Sequence, residues 1–298
     1  MTHALLFLYA ETPVHAGGPE SIGAIDLPIQ RSKHNGLPII WGQSVKGALK
    51  DEARTSNLFG SDAALAAVMG SDPGTAQSTT TDGWLAVNDA RLVAFPVPTL
   101  ENTFAWVTSA TVLQGVARYA ARAGLTEIPE VPVLAPSYVA CSLSGEWSAN
   151  QVCVGAYLCQ KDTGQDARAK LWADWIVTNG MPGHDAFKYF GGKLAKHLLV
   201  VDDDTFRAVT EEFAELVPRI QLQTPKAGQP ATKTVEQLFY EENLPSETIL
   251  VSLLSSMKAG EDGQTAANAF HNRAFTIGGS ETVGRGLVWA HTPDAVTP

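Results

Sequence analysis

The sequence predicts an α+β fold, organised as a single domain over residues 1–298. Strand-like alternation and helix-like periodicity are intermixed along the chain, and no internal repeat is visible. Hydrophobic residues make up 45% of the chain and charged residues 17%, which is typical of a globular protein with a packed core. These observations argue against a repeat array and against long-range disorder.

The N-terminal half is predicted to open with a strand, pass through a glycine-rich loop and reach a helix. The helix, Ser44–Thr55, is indicated by Val45, Leu49 and Ala53, which fall on one face at helical spacing. A polar stretch near residues 71–82 is low in complexity and is predicted to be a variable insertion. The other elements predicted here are strands over Met1–Thr12, Pro38–Trp41, Trp84–Val97 and Phe104–Thr108, and an amphipathic helix over Ala110–Ala123.

The C-terminal half is predicted to contain a long β-hairpin and a second glycine loop. Ile220 and Leu222 alternate with polar residues, as do Leu238 and Tyr240, so the hairpin is placed near residues 220–240 with a polar tip. The glycine loop covers residues 278–286. The other elements predicted here are strands over Gln151–Gln160, Leu198–Val201, Thr248–Met257 and Phe275–Ile277, and helical segments over Thr205–Leu216 and Ala266–Arg273.

Composition and local sequence patterns also indicate the cellular location of the protein. No apolar run approaches the roughly 20 residues that a membrane span needs, and the apolar N terminus lacks the basic region and cleavage site of a signal peptide. Cys141, Cys153 and Cys159 are odd in number and never form C-x-x-C, which argues against a disulfide framework or a structural zinc site. We therefore expect a soluble, cytoplasmic protein.

The net charge of −10 argues against a nucleic-acid binder held by bulk charge alone. Acidic residues cluster at Asp202–Asp204 and Glu211–Glu212, whereas basic residues concentrate between Arg31 and Arg54. Nucleic-acid binding is compatible with this sequence only if the basic residues form a local surface while the acids lie elsewhere.

The stretch Gly42-Gln-Ser-Val-Lys-Gly47 is the clearest candidate for an anion-binding surface. It is not an NTPase phosphate loop, because its lysine precedes the second glycine instead of following it. A helix start still favours an anion through its free N–H groups and its dipole. Lys46, Lys50 and Arg54 follow at intervals of four and form a basic stripe. From local chemistry, phosphate binding and an ordinary solvated face both stay open.

Three further residues allow two interpretations each. His15 is either a hydrogen-bonded structural group or a catalyst. Asp26 either caps its loop or acts as an acid that binds a metal ion or orients a ribose hydroxyl. Arg285 either stabilises a turn or contacts phosphate through its forked guanidinium. Because one carboxylate cannot supply both the base and the acid of phosphodiester cleavage, a metal ion or a neighbouring subunit would have to complete a site at Asp26.

Several short motifs follow one another in a fixed order. They are His15-Ala-Gly, Asp26-Leu-Pro-Ile-Gln-Arg31, Gly36-Leu-Pro-Ile-Ile, Gly42-Gln-Ser-Val-Lys-Gly47, Leu58-Phe-Gly60, Trp106-Val-Thr108, Leu244-Pro245 and Gly278-Gly-Ser-Glu-Thr-Val-Gly-Arg-Gly286. Each motif is weak alone, but the ordered set resembles the RAMP superfamily. The match is best to the repeated backbone subunit of Cmr-type (type III-B) CRISPR effector complexes.

The resemblance implies an RRM-like ferredoxin fold, called the palm, with inserted loops and a protruding thumb hairpin near residues 220–240. It implies that copies of the protein stack as a filament on a guide CRISPR RNA, beside other Cmr-type subunits and without contact with a membrane. It also implies that the filament cleaves complementary single-stranded target RNA in antiviral defense. On matching positions, Asp26 is the cutting residue and a possible ligand of Mg²⁺ or Mn²⁺, and Lys46 holds the guide backbone. The other residues expected to bind RNA are Ser44, Gly47, Lys50, Arg54, Arg31, Arg285 and Lys226, while His15, Glu236 and Tyr240 are expected to be structural or to contact RNA.

Two positions depart from the family pattern: Gln43 stands where serine is usual, and Lys50 where arginine is usual. These differences affect the expected contacts with the guide and do not affect the assignment of Asp26. Many copies on one RNA would offset the acidic balance, because each needs to add only a few contacts. Three alternatives stay open: a non-catalytic RNA-binding scaffold of the same complex, a precursor-RNA nuclease that uses His15 without metal, and, remotely, a small-molecule enzyme.

Overall fold

The chain folds around one large mixed sheet. The computed structural model describes residues 1–18, 21, 23, 25–72, 82–148, 150–222 and 235–293, with the side chains of residues 222, 235 and 236 left outside the description. The described strands are β1 (His3–Ala10), β2 (Ile39–Ile40), β3 (Leu85–Val87), β4 (Ala90–Pro98), β5 (Phe104–Ser109), β6 (Tyr138–Cys141), β7 (Gln151–Val154), β8 (Tyr157–Lys161), β9 (Leu198–Val201), β10 (Glu215–Leu222), β11 (Val235–Asn243), β12 (Ile249–Ser256), β13 (Arg273–Thr276) and β14 (Leu287–His291). The described α-helices are α1 (Gly42–Thr55), α2 (Asp62–Met69), α3 (Ala110–Arg122), α4 (Asp166–Gly180), α5 (Lys188–His197), α6 (Asp203–Glu212) and α7 (Gly263–Asn268).

The main sheet has the strand order β13-β14-β1-β12-β4-β5-β9-β6-β8-β7, with β2 and β3 paired beside it on β4 and β12. Neighbours are antiparallel except for the β5–β9 and β6–β8 pairs. In β1, Phe7 lies opposite Val251 of β12 on one side and His291 of β14 on the other. This central position explains why the first strand reads as a nearly continuous apolar run.

Helices cover both faces of this sheet. Leu6 and Leu8 of β1 pack in one core cluster with Val45 and Leu49 of α1. Their neighbour Phe7 points the other way and packs in a second cluster with residues of α3, α4 and α5. Because successive strand residues face opposite sides, α1 and α3 lie on opposite faces of the sheet.

The predicted hairpin forms as the separate two-stranded sheet β10–β11. Ile220 lies opposite Leu238, and Pro218 opposite Tyr240, so these side chains share one face. Ile220 and Leu238 are 55% and 54% exposed, which leaves that face largely without cover. The predicted tip, with Lys226, lies outside the described residues, as do residues 73–81 of the predicted insertion.

The predicted α+β class is confirmed as a mixed structure with a large, mostly antiparallel sheet. One predicted helix was too long: α6 ends at Glu212, and Leu216 belongs to strand β10. Helix α4 was not predicted, although its buried residues Trp172, Trp175 and Ile176 are three and four positions apart and so share one face. In the described part of the chain, no helix is both long and apolar enough to cross a membrane.

Candidate functional site

Three segments that are far apart in sequence meet at one cleft of about 410 Å³. One wall is the segment around His15, the second is the start of α1, and the third is the glycine loop after β13. His15 pairs with Gly279 as an antiparallel bridge, and the Gly279 N–H donates to the His15 carbonyl oxygen over 2.9 Å. Among the lining residues are His15, Gly17, Ser44, Gly47, Gly278 and Gly279.

The approach of the glycine loop to the His15 backbone requires glycine at position 278. Gly278 has φ of +92°, a conformation that disfavours other residues, and a Cβ there would lie 2.4 Å from the His15 carbonyl oxygen. The glycine-rich motif is therefore explained by backbone packing at this wall of the cleft.

Asp26 lies beside the base of the hairpin. Its loop runs along β11, where the Leu27 N–H donates to the Tyr240 carbonyl over 3.0 Å and the Glu242 N–H donates to the Leu27 carbonyl over 2.9 Å. The Tyr240 N–H in turn donates to Asp26 Oδ2 over 2.8 Å. The side chain of Asp26 is exposed, and within the described residues Oδ1 has no hydrogen-bond partner. The structure thus brings together the two predicted residues Asp26 and Tyr240 and holds one carboxylate oxygen of Asp26 in a fixed direction.

Glu242, a residue that sequence reasoning missed, joins the Asp26 loop to the cleft. Its carbonyl oxygen lies 2.8 Å from His15 Nδ1, and its carboxylate accepts from the Ile29 N–H over 3.0 Å. The same carboxylate pairs with the Arg31 guanidinium over 2.6 Å. Arg31 also donates to the carbonyls of Gly36 and Thr210. Arg31 therefore has a structural role here, and its contact with RNA stays a prediction.

Glu241 forms a second buried cluster with Arg219 and Ser280, named below the Glu241 cluster. Its Oε2 accepts from the Arg219 guanidinium over 2.5 Å and from the Ser280 hydroxyl over 2.9 Å. Burial raises the pKa of Glu241, but these two hydrogen bonds and the charges of nearby basic groups together outweigh burial, so that its pKa lies below the usual value. The cluster ties β10 and β11 to the glycine loop.

Helix α1 starts earlier than predicted, at Gly42 instead of Ser44. Ser44, Lys46 and Gly47 therefore lie within its first two turns. The Gly42 N–H donates to Asp89 Oδ1 over 2.8 Å, so the chain's own carboxylate occupies this part of the positive helix end. A phosphate at this helix start would have to use the side that carries Ser44 and Gly47.

Of the described residues that line the cleft, none belongs to the basic stripe. Lys46 Nζ donates to the Leu85 carbonyl over 2.8 Å, and burial, together with the charge of Lys50, lowers the pKa of Lys46. Lys50 and Arg54 each contact Asp72 over 2.6 Å. Ser44 and Gly47 line the cleft, whereas Lys46 does not.

The other predicted residues lie outside the cleft lining. Arg285 Nη1 lies 3.7 Å from a carboxylate oxygen of Glu215. The side chain of Glu236 and all of Lys226 lie outside the described residues. Neither Arg219 nor Asp89 was singled out from sequence. The run of Glu241, Glu242 and Asn243 in one strand was the available signal, since consecutive polar residues in a buried strand need partners.

The side chains around Asp26 show which ligands are available for the expected Mg²⁺ or Mn²⁺ ion. Across the described ranges, no group of three or more His, Cys, Asp or Glu side chains is arranged to hold a metal ion. The Asp26 carboxylate is therefore not part of a preformed three-ligand site among these residues. Mg²⁺ is commonly held by one or two carboxylates together with substrate phosphates, so this donor set fits an ion shared with RNA and not a resident ion.

Comparison with known proteins extends along almost the whole chain. The model of the RAMP superfamily matches residues 7–289. The CRISPR system Cmr endoribonuclease Cmr4 of Pyrococcus furiosus is 31% identical over 304 residues, which cover 95% of this chain and 93% of that protein. Among solved structures, oligomeric Cmr4 from Pyrococcus furiosus matches with a TM-score of 0.75 at 25% identity over 98% of both chains.

A second structural match is a chain of the type III-B Cmr-beta complex bound to cognate target RNA. It has a TM-score of 0.70 at 20% identity and covers 98% of this chain and 97% of its own. At that identity the likeness concerns the fold alone. The family model and the sequence identity to the Pyrococcus protein show more than the fold. They show that the chain belongs to the RAMP superfamily and, within it, to the Cmr4 family.

Proposed function

We propose that this chain is the guide-RNA-bound backbone subunit of a type III-B CRISPR ribonucleoprotein and that it cleaves complementary target RNA through Asp26. The position of Asp26 carries the proposal: an exposed carboxylate, held by the Tyr240 N–H, at the base of a β-hairpin. Membership of the Cmr4 family, whose Pyrococcus member is named an endoribonuclease, supports the reaction class.

In this proposal the main sheet and its helices form a ferredoxin-like palm, and β10–β11 form the thumb. The partners are a guide CRISPR RNA, a single-stranded target RNA, further copies of the chain and other Cmr-type subunits, in the cytoplasm. The oligomeric Cmr4 structure supports self-association, and the RNA-bound Cmr-beta complex matches in fold. The exposed face of the hairpin, with Ile220 and Leu238, is suited to contacting a base or a neighbouring copy.

RNA would be held along the cleft by groups that are open to it. The hydroxyl of Ser44 and the open backbone at Gly47, where a Cβ would have no neighbour within 4 Å, allow close approach of a phosphodiester chain. Lys50 and Arg54 can add charge if phosphates replace Asp72 as their partner. Lys46 donates to the Leu85 carbonyl in this structure, and its contact with the guide backbone stays part of the proposal.

Asp26 would act on the ribose beside the hairpin. With Oδ2 fixed by the Tyr240 N–H, Oδ1 can accept the hydrogen bond of a 2′-hydroxyl and align that oxygen with the adjacent phosphate. A Mg²⁺ or Mn²⁺ ion held by Asp26 and RNA phosphates would supply neutralisation of the charge that develops on the phosphate. His15, fixed by its hydrogen bond to the Glu242 carbonyl, would help to position the RNA in the cleft.

The proposal is tested with the complex assembled from the chain, its partner subunits and a guide, given complementary target RNA in Mg²⁺ or Mn²⁺. Asp26→Asn is expected to slow cleavage by about 10²-fold or more, the usual contribution of a positioned acid or base, while target binding is retained. Asp174→Asn, a surface carboxylate of α4 paired with Lys170, is the control and should cut normally. A chelator arm measures the metal dependence.

Two results would contradict the proposed cleavage through Asp26. Unchanged cutting by Asp26→Asn would remove Asp26 from the reaction. Normal assembly and target binding without any cutting by the wild type would establish the second candidate, a non-catalytic RNA-binding scaffold.

A further inference from the structure

Three arginines of this acidic chain have no acidic partner among the described residues, and they lie together. Every other arginine of the chain has a carboxylate oxygen within 4.0 Å. Across the residues that the structure describes, the guanidinium groups of Arg91, Arg118 and Arg122 form neither an ion pair nor a hydrogen bond, and the guanidinium of Arg91 lies over the Tyr119 ring. In a chain of net charge −10, unpaired guanidinium groups grouped on one surface indicate an anionic ligand.

Two of these arginines, Arg91 and Arg118, line a cavity between α3 and the sheet, and Arg122 lies one helical turn beyond Arg118. Arg118 and Arg122 are exposed and lie one turn apart on α3, and Arg91 is exposed on the neighbouring strand β4. The guanidinium of Arg91 lies 5.3 Å from the centre of the Tyr119 ring. Arg91, Arg118 and Tyr119 all line a cavity of about 110 Å³.

The lining of the cavity combines an apolar floor with polar edges. Leu92, Val112 and Val116 form part of the floor, and all three are buried in the core. Asn35 and Asp89 supply amide and carboxylate groups at the edge, with Asp89 also holding the Gly42 N–H. A planar ring with donors and acceptors on its edge fits these walls, and anionic groups attached to it fit the arginines.

This surface is separate from the cleft at His15. The two linings share no residue. Leu113, Val116 and Ala120 of α3 pack with the side chains of β1 that point away from α1, whereas Val112, at the start of α3, packs in the cluster that contains α1. Most of α3 therefore covers the opposite face of the sheet. An RNA strand in the cleft therefore does not account for the unpaired arginines.

The chemistry favours single-stranded RNA as the ligand. Unstacked bases bind proteins by stacking on tyrosine rings and guanidinium planes and by hydrogen bonds along their edges, while arginines hold the flanking phosphates. An acidic protein segment would also pair with the arginines, but it would leave the Tyr119–Arg91 stack and the polar edge of the cavity without matching groups.

We propose that the α3 surface is a second RNA site, in which a splayed-out base enters the cavity beside Tyr119 and its flanking phosphates lie on Arg91, Arg118 and Arg122. This inference rests on the proposed function, because it takes RNA to be the ligand of the assembled protein. It adds a site on the face of the sheet that the proposed function leaves unused.

The test uses the full chain in its RNA-bearing complex. Irradiation with ultraviolet light followed by proteolysis and mass spectrometry should reveal a nucleotide adduct within residues 119–122, and this adduct should disappear in Arg91→Ala/Arg118→Ala. The affinity for single-stranded RNA is measured in parallel against salt concentration. For Arg118→Ala/Arg122→Ala, the slope of log affinity against log salt should become shallower by about 0.7 for each phosphate that these arginines neutralise in the wild type.

Arg168→Ala/Lys170→Ala is the matched control, because it removes two positive charges that are already paired on α4. It should change neither the adduct nor the slope. An RNA-bearing complex without an adduct at residues 119–122 would overturn this inference and leave the proposed function standing, whereas a wild-type complex without RNA would contradict the proposed function itself. If Arg118→Ala/Arg122→Ala keeps the wild-type salt slope and loses a protein partner, the surface binds an acidic protein and the RNA site is wrong.

Discussion

At the scale of single residues, two consecutive buried glutamates of β11 hold the segments around the site in place. Glu242 holds Arg31 and the Ile29 N–H, and Glu241 holds Arg219 and Ser280. The two carboxylates fix three surrounding segments: the Asp26 loop, the first hairpin strand and the glycine loop. The Asp26 carboxylate is oriented by one hydrogen bond, from the Tyr240 N–H, because these two glutamates and their partners already position its loop.

Arg219→Ala tests the Glu241 cluster. The substitution leaves a carboxylate that is 1% exposed without its cation. Breaking a fully buried pair costs about 3–5 kcal/mol, and the partial exposure of Arg219 reduces the expected loss to about 2 kcal/mol of unfolding free energy. Denaturant unfolding measures this loss. Arg207→Ala, which removes an exposed arginine with surface partners, should cost no more than about 0.5 kcal/mol, and equal destabilisation of the two variants would contradict the assigned role.

Glu247 gives a prediction about pH. Burial raises the pKa of Glu247 from 4.5 to about 7, and its Oε2 has no hydrogen-bond partner among the described residues. The folded state therefore holds a proton that the unfolded state releases between these two values, so this residue lowers stability as pH rises through that window.

Glu247→Gln removes this dependence. The variant should be more stable than the wild type by roughly 2–3 kcal/mol at pH 8 and equally stable at pH 4. Thermal unfolding across this pH range checks it. Glu127→Gln is the control, since Glu127 also has a positive φ but is exposed. A gain for Glu247→Gln that is the same at both pH values would show that ionisation is not its cause.

At the scale of elements, the helix α1 and the glycine loop show what sequence periodicity can and cannot predict. The core face of α1, with Val45, Leu49 and Ala53, was predicted because burial repeats at helical spacing. The partner of its first N–H was not, because Asp89 lies 47 positions away and no local pattern connects the two residues. For the same reason the hydrogen bond from Lys46 to the Leu85 carbonyl was not predicted, and the contact of Lys46 with RNA stays a prediction.

Gly278→Ala tests the close contact between the glycine loop and His15. The added Cβ would lie 2.4 Å from the His15 carbonyl oxygen, so the wall of the cleft has to shift. Gly284→Ala is the matched control, since Gly284 also has a positive φ, +81°, but its Cβ would meet nothing within 4 Å. Both variants bear the cost of the left-handed conformation, roughly 1 kcal/mol.

Only Gly278→Ala adds the collision, and it should unfold at a lower temperature than Gly284→Ala and retain less RNA in the assembled complex. Thermal unfolding and the amount of RNA that co-purifies measure the two effects. Similar values for both variants would show that strain in φ alone explains the glycines of this loop.

At the scale of the whole molecule, a large sheet covered on both faces brings distant motifs to common surfaces. The order of the motifs was enough to predict the family, and the α+β class followed from mixed periodicities. The pairing of charges was not predictable, because it depends on which distant carboxylate lies beside each cation. Asp72 on Lys50 and Glu242 on Arg31 are examples, and both change which cations are open to RNA.

The central claim is that this acidic chain works as an RNA-bound subunit, with its cleft occupied by a guide. The RNA that co-purifies with the chain and its partner subunits tests this claim most directly, when it is extracted, sized and sequenced. We expect a discrete short RNA with a shared sequence element, retained by Asp26→Asn because that residue cuts the target and does not hold the guide. A complex that carries no RNA, or only RNA of random length and sequence, would contradict the claim.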